Sequence, residues 1–177
     1  MKNNIKKLIL VSLIGISLQA KAETINTLVE FFSFTCVHCA SVNRRLTSYV
    51  AKHNIKYLDI DTNMSDEAMP TNIMYYIAVD SGVGVQFKEA YFKAVSSGMV
   101  AFSPSILSYV TNQVKNDAMA RLMQSDVEKT KIKQKLEYVK GLLSKYHIEV
   151  TPTFLINQTT LLEGEDVINS LIGDTNG

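Results

Sequence analysis

Hydrophobic and polar positions change their spacing several times along the chain, and each change marks an expected element. Thr27–Phe34 (TLVEFFSF) is rich in β-branched and aromatic residues and reads as a mostly buried strand. From Cys36 onward Val42, Leu46 and Val50 recur every fourth residue among polar neighbours such as Asn43, Arg44 and Arg45, the pattern of a helix with one apolar face. Cys36 therefore stands where a strand passes into a helix. Ile55–Ile60 alternates as a second strand, and strand, helix and strand in this order predict a parallel βαβ unit. Between about 63 and 128, Met, Ala, Tyr and Phe recur at helical spacings with breaks at Pro70, Gly82, Gly84 and Gly98. Ser103-Pro104 there has the form of an N-cap followed by proline at the first helical position. We expect this stretch to be a cluster of short helices inserted into the α/β unit. From Val127, Ile132, Leu136, Val139 and Leu143 share one helical face, so the lysines between them read as a solvated face. After Gly141 the pattern returns to β. Thr151–Ile156, a polar turn at Asn157-Gln158 and Thr159–Leu162 predict a hairpin, closed by a short apolar helix from Asp166 to Ile172.

Composition removes several function classes. At 177 residues, 46% hydrophobic and 20% charged, the chain has the make-up of a globular protein. Eighteen Lys and Arg against 17 Asp and Glu give a net charge of +1, which offers no electrostatic case for nucleic-acid binding. Beyond the N-terminus no apolar run is long enough for a polytopic membrane protein. The N-terminus itself reads as an address. Lys2, Lys6 and Lys7 precede the apolar run Leu8–Leu18, and Ala20-Lys21-Ala22 has the small-x-small cleavage pattern, so residues 1–22 are expected to be a signal peptide cut near Ala22. That leader holds four of the 18 basic residues and none of the acids, which leaves 14 against 17 and a mature net charge of −3. Export would place the chain where disulfides persist, and this changes what a cysteine pair can mean.

The two cysteines are Cys36 and Cys39, in Cys-Val-His-Cys at a helix start. Unpaired N–H groups and partial positive charge in a first helical turn favour a thiolate at Cys36, whose pKa should fall below the roughly 8.5 of a free thiol. His38 in the same turn can donate a hydrogen bond or add positive charge near the sulfur. Cys39, one turn further in, is the expected resolving partner. At pH 7 each unit by which the nucleophile's pKa lies below 7 stabilises the reduced state by about 1.4 kcal/mol, or about 30 mV for a two-electron couple. A strongly depressed pKa thus makes the disulfide an oxidant. Competing readings are weaker. A purely structural disulfide would close too small a loop to remove much unfolded-state entropy. A zinc site would need ligands beyond Cys36, Cys39 and the isolated His53 and His147. Haem attachment would need histidine directly after the second cysteine, where Ala40 stands.

The run Phe31-Phe32-Ser33-Phe34-Thr35-Cys36-Val37-His38-Cys39, with a helical insertion and a late Thr-Pro before a strand, resembles DsbA-type periplasmic thiol oxidoreductases of the thioredoxin superfamily. The likeness spans essentially the whole mature chain. It implies an α/β thioredoxin fold with an inserted helical subdomain: residues 23–63 and 129–177 form the fold and 64–128 the insertion. By resemblance, Cys36 is the exposed nucleophile and His38 favours its thiolate. Thr151 and Pro152 match the cis-proline loop that offers backbone hydrogen bonds to an extended substrate, although without the cysteine pair Pro152 would read as an ordinary trans proline opening a strand. Glu30 and Lys56 match a buried acid and lysine near the family's active site; alone, each also reads as a surface charge. Val37 replaces the proline most familiar from the oxidases, and Thr151 before Pro152 is more reminiscent of isomerases. The chain also looks shorter than such oxidases, which touches the surfaces that meet a reoxidant.

The expected function is a monomeric periplasmic dithiol-disulfide oxidase with no metal or organic cofactor beyond the Cys36–Cys39 redox pair. Its expected partners are unfolded exported proteins with free cysteines and a DsbB-like membrane reoxidant. The alternatives are a reductase or isomerase kept reduced by a DsbD-like donor, and a non-catalytic peptide-binding chaperone using the methionine-rich insertion.

Overall fold

The computed structural model describes residues 24–166; the leader, and all but the first residue of the closing helix expected over Asp166–Ile172, lie outside the described residues. The chain opens with β1 (Thr27–Phe32), α1 (Val37–His53) and β2 (Lys56–Asp61). Four helices follow, α2 (Met69–Asp80), α3 (Gly84–Ser96), α4 (Pro104–Val114) and α5 (Asp117–Met123), and then the long α6 (Asp126–Tyr146). It ends in the hairpin β3 (Thr153–Ile156) and β4 (Thr160–Glu163). The sheet order is β2-β1-β3-β4, with β1 and β2 parallel and the β1–β3 and β3–β4 pairs antiparallel.

Register assigns the two faces of the sheet. Leu28 pairs with Ile156 and Glu30 with Phe154, so Leu28, Phe154 and Ile156 share the face that meets Val42, Leu46 and Val50 of α1. Val29 and Phe31 point the other way, and Phe31 lies in the cluster that contains Ile132, Leu136 and Val139 of α6. The period-four stripes in α1 and α6 are therefore the two coats of one sheet. Surface lysines of α6 pair with acids one turn away, Lys129 with Asp126 and Lys140 with Glu137, in exposed contacts worth a few tenths of a kcal/mol each.

Two boundaries differ from the sequence pattern. Strand β1 stops at Phe32, because Ser33–Thr35 turns: the Thr35 N–H donates to Ser33 Oγ (3.3 Å) and the Cys36 N–H to the Ser33 carbonyl (3.0 Å). Helix α6 runs through Gly141 to Tyr146, since Leu142, Leu143 and Tyr146 continue its apolar face and one glycine costs only about 1 kcal/mol. Between α2 and α3 the chain reverses tightly. A Cβ on Gly84 would lie 2.6 Å from Val79 Cγ2, so glycine is required there by close approach.

The helical segment docks on the end of β1 through aromatic rings. Phe34, only 1% exposed, has its ring centroid 5.0 Å from Phe32, 5.4 Å from Tyr75 and 4.3 Å from Tyr91. Edge-on and tilted pairs of this kind are worth about 0.5–1.5 kcal/mol each beyond the area they bury. Phe34 lies two residues before Cys36, so the same packing that joins helices to sheet sets the origin of α1. Replacing Phe34 by Ala should cost about 3–5 kcal/mol in urea unfolding. A loss under about 1 kcal/mol would show that the rings do not carry the docking.

Candidate active site

Cys36 is the N-cap residue of α1, with extended backbone angles (φ −83°, ψ 114°). Its sulfur takes the place that a serine or aspartate oxygen usually fills, accepting the Cys39 N–H at 3.1 Å. No acidic residue sits in the first turn of α1 to offset the positive end of the helix, and Lys52 and His53 occupy the last turn, where cations belong. On the other side the Cys36 thiol can donate to the Thr151 carbonyl at 3.3 Å. Both cysteines are free thiols; Cys36 is half-buried and Cys39 fully buried.

These surroundings treat the two sulfurs oppositely. The Cys39 side chain is the largest influence on Cys36; with Thr151 and the N–H groups of Cys39 and His38 it outweighs burial and lowers the Cys36 pKa to about 6. Cys39 is pushed far above the ordinary thiol range, first by its hydrogen bond to Cys36, then by burial, with the charges of Cys36 and Glu30 adding to the effect. One sulfur is held as an anion while its neighbour keeps its proton.

The sequence-expected residues fall into place unevenly. The Thr151–Pro152 bond is cis, Pro152 is buried, and the Thr151 carbonyl lies beside Cys36. Val37, next to Cys36 in the chain, and Val150, next to Thr151, leave apolar surface open, at 78% and 48% exposure. His38 is exposed, and its Nδ1 sits 3.0 Å from the Glu165 carboxylate, which raises its pKa. Glu30 is fully buried.

Lys56 requires correction. It is exposed, and the buried lysine is Lys88 of α3. Register explains this: Glu30 pairs with Asp59 across β1 and β2, so its face continues into Tyr57 and Asp59, while Lys56 belongs to the opposite face. Lys88 Nζ lies 2.6 Å from Glu30 Oε2, 3.1 Å from Asp59 Oδ2 and 3.8 Å from the centre of the Phe32 ring, and the Tyr57 hydroxyl donates to Glu30. Burial opposes the lysine's charge, but Glu30 and Asp59 overcome it and raise its pKa. Sequence reading missed Lys88, although it sits with Phe87, Tyr91 and Phe92 on the apolar stripe of α3, an unusual place for a lysine. Asp61, at the end of β2, is also buried, and burial pushes its pKa up to about 7. A groove of about 790 Å³ between α1, α3 and α4, lined by Ser41, Arg44, Gln86, Lys93 and Gln113 among others, includes neither sulfur.

The described residues contain no cluster of His, Cys, Asp or Glu arranged to hold a metal ion, and no helix among them is long and apolar enough to cross a membrane. A parallel β1-α1-β2 unit with a cysteine pair at the helix start and a cis-proline hairpin beside it is the arrangement of a thiol-exchange protein. The thioredoxin family model matches residues 19–171, so the chain belongs to the thioredoxin family. Among solved structures it is similar to Pseudomonas aeruginosa DsbA, at 17% identity and a TM-score of 0.66 over 82% of this chain and 79% of that one. It is also similar to the thiol-disulfide exchange protein alpha-DsbA2 from Wolbachia pipientis (17%, 0.61, 86% and 82%) and to NmDsbA1 from N. meningitidis (16%, 0.61, 87% and 84%). A search of curated proteins finds no match. Family and site together define a thiol-disulfide oxidoreductase of the thioredoxin superfamily, and the solved neighbours give it a DsbA-like fold.

Thiolate absorbance of the reduced protein should rise in one step near pH 6, vanish in Cys36→Ser, and move to higher pH in Cys39→Ala, which removes the largest stabilising contact. A step that stays near 6 in Cys39→Ala would mean that the helix end alone sets it. Because the folded pKa is depressed, Cys36 contributes stability fully present above the ordinary thiol pKa and lost as pH falls through about 6. The stability gap between reduced wild type and Cys36→Ser should therefore narrow between pH 9 and pH 5. Lys88→Met, which strands the Glu30 carboxylate in the interior, should cost about 3–5 kcal/mol, read by denaturant unfolding.

Proposed function

We propose that the protein is an exported, DsbA-like oxidase that donates the Cys36–Cys39 disulfide to other exported proteins, and that residues 1–22 are the leader that sends it to the periplasm. The observation that carries this reading is the opposed behaviour of the two sulfurs, with Cys36 lowered to about 6 and Cys39 driven upward. In the disulfide form, a client thiolate attacks Cys36 Sγ; the Cys36–Cys39 bond breaks, and Cys39 leaves with the electron pair and takes a proton. A second client thiolate then attacks the client sulfur of the mixed disulfide and expels Cys36. The client is oxidised by two electrons and the protein is left as the dithiol. Cys36 is a good leaving group in this second step because its anion is roughly 90% formed at neutral pH.

In this reading Thr151 and Pro152 meet an extended client segment, supported by the Thr151 carbonyl beside Cys36, and the exposed Val37 and Val150 supply apolar contact. His38 supplies positive charge near the thiolate. Regeneration requires an acceptor of two electrons, and a membrane protein of the DsbB kind meets that need; no metal or organic cofactor takes part in either exchange step. We infer that the protein acts as a monomer.

Equilibration with glutathione buffers should give a potential well above the roughly −270 mV of cytosolic thioredoxin. The pair should be found oxidised in cells, and Cys39→Ala should accumulate mixed disulfides through Cys36. A thioredoxin-like potential with a reduced pair in cells would instead assign a reductase or isomerase. Client protection that persists in Cys36→Ser would assign a chaperone.

A further inference from the structure

The exchange site has a member that neither the Cys-Val-His-Cys motif nor the cis-proline turn contains. Glu165 lies two residues past the end of β4, and its starting point is set by the Gly164 N–H, which donates to the Pro152 carbonyl at 2.8 Å. From there its carboxylate reaches the first turns of α1. Glu165 Oε2 lies 3.0 Å from His38 Nδ1 and accepts the Ser41 hydroxyl at 2.9 Å. Ser41 Oγ also lies 2.9 Å from the His38 carbonyl, so its single proton is shared between the acid and the turn that presents the imidazole. His38 and Ser41, three residues apart, share a side of α1. A single carboxylate oxygen thereby ties the cysteine-bearing helix to the hairpin that carries Pro152.

We propose that Glu165 is a positioning residue of the exchange reaction: anchored by Ser41, it orients His38 through Nδ1 and sets its negative charge against the ring in the turn that follows Cys36. The reason for such a device lies in two titrations that otherwise collide. An unpaired histidine loses its proton near 6.5, close to where Cys36 loses its own at about 6. Without the carboxylate the sulfur would become an anion over nearly the same pH interval in which its neighbour ceased to be a cation. The charged groups facing His38 are Glu165, Cys36 and Asp166, and all three favour the imidazolium, Glu165 most strongly. Glu165 is itself lowered by His38 and Ser41. The two titrations are thus pulled apart, Cys36 gaining its charge at a lower pH than that at which His38 loses its own. The effect of Glu165 on exchange rests on the thiol-oxidase reading, but its effect on His38 does not.

The test separates the two. In the oxidised protein, where no thiolate contributes, the NMR titration of the His38 ring should shift toward an ordinary histidine in Glu165→Gln. It should shift less far in the same direction in Ser41→Ala, which loosens the acid and leaves its charge. Both side chains lie at the surface, so thermal melts should match wild type. In exchange assays, the ratio of the client-oxidation rate at pH 6 to that at pH 8 should rise roughly two- to fivefold in Glu165→Gln, because more of the imidazole then discharges within that window. An unchanged His38 titration in oxidised Glu165→Gln overturns the proposal. So does a shifted titration with an unaltered pH–rate profile, since the charge would then not reach the reaction. If wild type exchanges no disulfides, the functional reading fails, and the His38 titration still decides whether Glu165 holds its neighbour.

Discussion

One sulfur capping one helix organises this molecule. A helix start leaves N–H groups without carbonyl partners, and in α1 the atom that answers them is Cys36 Sγ rather than an oxygen. The contact is structural in form, an N-cap, and chemical in consequence. With the larger effect of the Cys39 side chain, it favours the charged state of the atom that must leave or attack. The interior of the site places that cap and prevents its charge from being shared with Cys39, one turn along.

The prevention depends on the interior. Cys39 is buried beneath Cys36, and the Glu30 carboxylate lies deep in the same protein, close enough to disfavour a second anion. A buried carboxylate is costly unless it is paired, and here the pairing comes from a distance in sequence: Lys88 from α3 and the Tyr57 hydroxyl from β2 converge on it. The helical segment between β2 and α6 is therefore more than a cover over the sheet. It delivers the cation that makes Glu30 tolerable, while its aromatic residues fix Phe34 and, through Phe34, the turn into α1. Packing and electrostatics share one route to the sulfur.

The surface of the site is built on a different principle. Val37 and Val150 leave apolar area open, and the Thr151 carbonyl faces Cys36 from the hairpin. The polar contact network at the rim, His38 with Glu165 and Ser41, lies in water, where ion pairs add little to stability. Its value is in charge placement. The interior sets which sulfur ionises, and the rim bears on the pH range over which that ionisation has a cationic neighbour.

Much of this was legible in the chain because it depends on local periodicity. The β-branched and aromatic run from Thr27, the period-four stripe of Val42, Leu46 and Val50, the Ser103-Pro104 start and the Thr-Pro before a strand are patterns that backbone geometry imposes within a few residues. The cysteine pair at a strand-to-helix junction follows from the same local rules, and so does the direction of the Cys36 shift. What tertiary structure decided were partnerships across long separations. Whether Lys56 or Lys88 meets Glu30 depends on the register between two parallel strands and on the docking of α3, and a one-residue change of register would exchange the faces. The approach of Glu165 to His38 depends on where a hairpin closes against a helix that begins over a hundred residues earlier. Periodicity reveals which face a residue occupies; only the folded chain determines what stands opposite.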